Sequence, residues 1–223
     1  MASQIGARLA FDNAKAMLAD RGYDPNAAVL SQSVIRTEVA MSTTQTQYTF
    51  PILINDAQQG VASSFNTMKL LNLQDAFIVS ALGVYVANPA SSTATNFPLI
   101  TFPDAQVFTT SGAAAALYSF YNGNLSVTVN NRQIVPAYDL ARHVKVPRTQ
   151  TGTSTGTNTA INSHDGSIDG IYPIEPNWVL VGSKNSQVVI TLPSALSAIQ
   201  AGSAPRFVLK FYGVLAQNVT PVR

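Results

Sequence analysis

Apolar and polar positions along this chain fall into two regimes that meet near residue 43. Before that point the spacing predicts helix. Ser3 can cap a segment in which Ile5, Leu9, Met17 and Leu18 supply much of an apolar face, and Gly22 offers a stop. Asp24-Pro25 then reads as a cap followed by proline at the first helical position, with Leu30 and Val34 one turn apart. Two short helices joined by RGYDP are therefore expected as a helical N-terminal arm over residues 1–42. Helices this short are marginal alone, so the arm is expected to dock on the body or on another chain.

From residue 43 onward the period is two. In QYTFPILIN, Tyr48, Phe50 and Ile52 point one way, and Pro51 marks an edge position or a bulge. TMKLLNL and DAFIVSALGVYVA follow, the second long and rich in β-branched and aromatic residues. In LSVTVNNRQIVP, Leu125, Val127 and Val129 alternate up to Asn130-Asn131, and Ile134 and Val135 resume beyond it, which predicts a hairpin with a tight turn. WVLVG, SQVVITLP and RFVLKFYGVLAQNV add three strands, separated by GSKN and PSALSAIQAGSAP. About eight strands with turn chemistry between them predict a mainly β fold, a single antiparallel β-sandwich of the jelly-roll kind over residues 43–223. A closed barrel is the rival. Helical interruptions are expected at GAAAALYSFY, capped by Ser111, and at PSALSAIQ. Residues 148–163, RTQTGTSTGTNTAINS, are almost free of charge and predict a long polar surface loop. NPASSTATN is a shorter one, and no second domain is marked.

Composition sharpens the picture at one point. Hydrophobic residues make up 46% of the 223, which is ordinary, but Asp, Glu, Lys and Arg together make up only 11%. Globular chains carry about a quarter. The exterior must be built from Ser, Thr, Asn and Gln, which suits a chain that hides much of its surface against neighbours better than a free monomer. A secreted β-domain with a neutral surface is the competing explanation. Cysteine is absent, so no disulfide framework or thiolate metal site can form. No stretch approaches the ~18 apolar residues of a membrane span, and charges at regular intervals from Arg8 to Asp24 break up any signal-peptide core. A soluble chain made without a cleaved leader is expected. Through residue 42, Arg8, Lys15, Arg21 and Arg36 balance Asp12, Asp20, Asp24 and Glu38, leaving the arm without the surplus cations that packaging nucleic acid needs.

Candidate chemistry is sparse. His143 and His164 are the only histidines. His164 sits in SHDGSIDG beside Ser163 and Asp165, but no nucleophile elbow accompanies it, and an exposed loop histidine is the simpler account. Asp165, Ser167 and Asp169, with Gly170 next, resemble the opening of a calcium loop. The closing glutamate position falls on Pro176, with Glu175 one residue early, so turn chemistry explains the run better. Arg132, Arg142, Lys145 and Arg148 are opposed locally by Asp139 alone and form a candidate anion or interface patch. Tyr138 is the one aromatic nearby, which argues against nucleic-acid recognition. Glu38, Asp75 and Glu175 read as isolated carboxylates. Tyr118, Phe120, Tyr121, Phe211 and Tyr212 could line a sugar platform, but core is the commoner fate of such residues, and Trp178 reads as a core or interface anchor. No enzyme activity, metal or cofactor is expected.

LSQSVIRTEVAM (30–41), LNLQDAFIVSALGVYVA (71–87), YNGNLSVTVNNRQIVPAYD (121–139), DGIYPIEPNWVLVGSKNSQVVITLP (169–193) and VLKFYGVLAQNV (208–219) together resemble virion structural proteins of bacterial viruses. These are strand and turn signatures spread over about half the chain. The resemblance implies a capsid or capsid-associated β-sandwich subunit, located in the virion, assembled in the host cytoplasm, and partnered by copies of itself and other virion proteins. On this view residues 3–42 carry contacts between subunits, and the 148–163 loop lies at a junction or on the outer face. The alternative is a spike or tail module that binds host carbohydrate through its loops.

Overall fold

A computed structural model describes residues 2–54, 56, 70–94, 97–146 and 170–221, with side chains from residue 10 onward. Its elements are helix α1 (Ala2–Asp20), strands β1 (Val29–Ala40), β2 (Gln47–Phe50) and β3 (Ala76–Ala87), single helical turns α2 (Ala113–Ala116) and α3 (Tyr118–Tyr121), then β4 (Asn124–Val129), β5 (Arg132–Asp139), β6 (Ile171–Val181), β7 (Ser186–Thr191) and β8 (Arg206–Gln217).

The strands form two antiparallel sheets of four, in the orders β1-β8-β3-β6 and β2-β7-β4-β5. The order follows from one pairing rule: β4 pairs with β5, β3 with β6, β2 with β7 and β1 with β8. The chain runs out through four strands and returns alongside itself through the other four. The fold-back point is the hairpin expected from the sequence. Asn130 and Asn131 take φ of 52° and 60°, the left-handed pair that a two-residue turn needs and that asparagine tolerates. Pairing of β3 with β8 and of β4 with β7 then gathers the ribbon into its two sheets.

Alternation puts one side of each strand into a shared core. Ile35, Phe77, Val84, Leu180, Phe207 and Phe211 come from one sheet, and Tyr48, Leu125, Val127, Val188 and Ile190 from the other. Phe207 joins the layers directly: its ring meets Tyr48 edge-on at 4.9 Å and stacks on Phe120 at 3.9 Å. Gly213 permits the close approach of β8 to β3, since a Cβ there would lie 1.8 Å from the Ile78 carbonyl oxygen.

Helix α1 covers part of the opposite face of the β1-β8-β3-β6 sheet. Ala14 and Leu18 pack on Ile78, Val179, Val181 and Val214. The helix stops at Gly22 (φ 79°), where Tyr23 N–H donates to the Leu18 carbonyl and Gly22 N–H to the Ala19 carbonyl, a glycine-based C-cap.

Three sequence expectations need correction. The second helix of the arm does not exist: Val29–Ala40 is a strand paired with β8 over all twelve residues. Leu30 and Val34 fit a helical turn and a strand face equally well, and the β-branched run ending in Ile35, Thr37 and Val39 decides for the sheet. Asp24 accepts from the Asn26 N–H at 2.9 Å and makes a local turn instead of a helix cap. Ser111 does not cap the GAAAALYSFY segment; Gly112, at φ 78°, holds the N-cap position with no side-chain bond. PSALSAIQ is irregular, and Gln200 there accepts from the Thr110 N–H at 2.9 Å. Residues 148–163 lie outside the described residues, as do residues 67–69 of TMKLLNL. In the remainder of that segment Leu71 makes a single bridge to Leu53.

Candidate interface

Each sheet ends in two edge strands, β1 and β6 in one, β2 and β5 in the other. Edges carry unpaired backbone donors and acceptors and must be blunted or used.

Strands β5 and β6 flank a groove of about 400 Å³ lined by Arg21, Pro136, Tyr138, Arg142, Glu175 and Trp178. Behind it His143 is fully buried. Its Nδ1 lies 2.7 Å from the Gly170 carbonyl oxygen, which can only accept, so Nδ1 carries the proton. Nε2 therefore accepts from the Tyr138 hydroxyl at 3.1 Å. Burial drives the His143 pKa down to about 4, against the Gly170 carbonyl, which raises it, with Arg142 lowering it further. Burial also raises the Tyr138 phenol, partly offset by Arg142, whose guanidinium sits 5.0 Å over the ring. Both imidazole nitrogens are occupied. The histidine fastens the Ala141–His143 turn to Gly170 and has no free nitrogen for proton transfer. Nearby, Lys145 and Thr101 bond reciprocally, the Lys145 N–H donating at 3.1 Å and its carbonyl accepting from Thr101 Oγ1 at 2.5 Å.

The basic residues singled out from the sequence do not gather at one place. Arg132 opens β5, opposite Val129, and Arg142 lies just past its far end, where Asp139 sits opposite Asn124, so the length of the bulged strand, ~17 Å, lies between the two ends. Lys145 follows the same turn, and Arg148 lies outside the described residues. The calcium candidates Asp165, Ser167 and Asp169 and the histidine His164 also lie outside them. Among the described residues no group of three His, Cys, Asp or Glu could hold a metal, and no helix is long and apolar enough to cross a membrane.

The β1 flank holds a feature that no local sequence pattern marks. Glu38, which looks isolated in the sequence, is buried between two arginines: Oε2 lies 2.9 Å from Arg206 and Oε1 2.5 Å from Arg36. Arg206 is 1% exposed and also donates to the carbonyls of Ser91 and Ser92 at 3.3 Å. The ring of Phe97 lies beneath both guanidiniums, at 5.2 and 5.0 Å. A separation of 168 residues hides the Glu38–Arg206 pairing. The one available signal is Glu38 itself, a charge on the strand just before the buried Val39. The triad pins the inner half of β1, whereas its outer half, Val29 to Val34, has no buried residue.

No protein-family model matches the chain, and no curated protein is significantly similar to it.

Proposed function

We propose that this chain is a structural subunit of a bacterial virus particle, a jelly-roll sandwich that works by packing against copies of itself and against other virion proteins. The observation that carries the reading is the strand order. An eight-strand ribbon paired first with last and collected as β1-β8-β3-β6 and β2-β7-β4-β5 supports a jelly-roll reading, the double Greek key found in viral shell subunits. Lectins share that architecture, so the fold alone does not choose. The charged fraction of 11% favours the assembly subunit, because so few charges leave an exterior better suited to contact than to isolation. The resemblance of the strand segments to phage virion proteins points the same way. Light scattering of the purified chain over a concentration series tests the reading: mass rising to defined multiples of the subunit supports it, and a monomer throughout overturns it.

A carbohydrate-binding spike module is the second reading, favoured by the β5–β6 groove with its Tyr138, Trp178 and Arg142 lining. Binding on a glycan array that is lost on Tyr138→Ala would favour it over the first.

A further inference from the structure

Four strands end the two sheets, and three of them are closed to another strand. Strand β5 carries Pro136, and β6 carries Pro173 and Pro176. Proline has no N–H to give to a ladder. Strand β2 spans only four residues and runs directly into Pro51. Strand β1 differs on every count: it has twelve residues, no proline and no glycine, and β8 is its one ladder partner among the described residues. Its outer half is uncharged as far as Ile35, with Val29 61% and Val34 40% exposed. Edges of this kind invite strand addition.

We infer that β1 of one molecule pairs antiparallel with β1 of a second copy, across a two-fold axis centred on Gln32. This rests on the assembly reading above and names the contact. A strand that joins β1 must itself come from an open edge, and among the described residues the long open edge is β1 again. The contact is therefore the same patch on both molecules. Such a pairing requires a sequence that reads alike in both directions. Val29-Leu30-Ser31-Gln32-Ser33-Val34-Ile35 does so in polarity: two apolar, three polar, two apolar. Centring on Gln32 sets Val29 opposite Ile35, Leu30 opposite Val34 and Ser31 opposite Ser33 of the second copy. Cross-strand neighbours then match like with like. Moving the centre to Ser31 would put Leu30 opposite Gln32, and moving it to Ser33 would put Leu30 opposite Arg36. A centre between residues would turn one molecule's core face to the other's outer face. The result is one continuous eight-strand sheet, with Leu30 beside the α1 cluster on both sides of the axis.

A cysteine at the axis faces its own copy, and the chain contains no other. Directly opposed residues in antiparallel strands lie ~4.5–5.5 Å apart at Cα, within the span of a disulfide. Under mild oxidation Gln32→Cys is expected to yield a disulfide-linked dimer, while Gln133→Cys, exposed on β5, stays single on a non-reducing gel. Gln32→Lys, which opposes two like charges, is expected to weaken association several-fold, and added salt to restore part of it. Circular dichroism establishes that each exposed-site variant is folded. A wild-type protein that assembles while Gln32→Cys links no faster than Gln133→Cys overturns the strand pairing and leaves the assembly reading standing. A wild-type protein that remains monomeric at every concentration overturns both.

Discussion

Where β5 and β6 end their sheets, Pro136, Pro173 and Pro176 interrupt the backbone ladder, and side chains line the space between the strands. Where β1 ends its sheet, the ladder is left whole and the outer residues are small, polar or aliphatic. The two flanks also differ in what holds them inward. The β5–β6 flank is fastened by a neutral network, Tyr138 to His143 to Gly170, whereas β1 is fastened at its inner half by the Arg36–Glu38–Arg206 ion triad. One flank is finished within the molecule. The other is rigid along half its length and offered along the rest, which is the form a surface takes when a partner strand completes it.

The largest expected effect comes from breaking the triad. Arg206→Ala leaves the Glu38 carboxylate buried beside a single guanidinium and is expected to cost ~3–5 kcal/mol in urea unfolding. Combining it with Glu38→Leu removes the stranded charge and should recover much of that loss. If the single and double variants unfold alike, the triad does not anchor β1.

Next is the pH response of the opposite flank. The native state holds His143 near pKa 4, while the unfolded chain takes its proton near the ordinary value of ~6.5. Between those values the unfolded state binds more protons, so stability is fully present above about pH 6.5 and is lost as pH falls toward 4. The loss reaches at most ~3 kcal/mol. Thermal melts from pH 7 to 4 should show it, and His143→Gln, which has no titrating ring, should flatten that slope while lowering stability at neutral pH.

The smallest effect on folding sharpens the contrast most. Val34→Lys on the open edge is expected to change stability by under ~0.5 kcal/mol, as exposed substitutions do, yet to lower the assembled fraction seen by light scattering. A change of similar chemistry at exposed Ala137 on β5 should leave both quantities alone.

Local rules make some of this visible in advance and hide the rest for a definite reason. The Asn130-Asn131 hairpin is legible because a two-residue turn is chosen by its own residues, and the period of two in β2, β4 and β7 because each of these strands buries alternate residues. Strand β1 is misread because Leu30 and Val34 satisfy both periods, and what settles them is β8, whose residues lie at the far end of the chain. The Glu38–Arg206 pair is hidden for the same reason. The basic run from Arg132 looks like one patch because nearness in sequence becomes distance along an extended strand.

Amide hydrogen exchange at low and high protein concentration tests the asymmetry of the flanks most directly. Concentrating the protein should slow exchange at residues 29–35 and leave β5 and β6 unchanged. Slowing confined to β5 and β6, with residues 29–35 exchanging equally fast at both concentrations, would contradict the account.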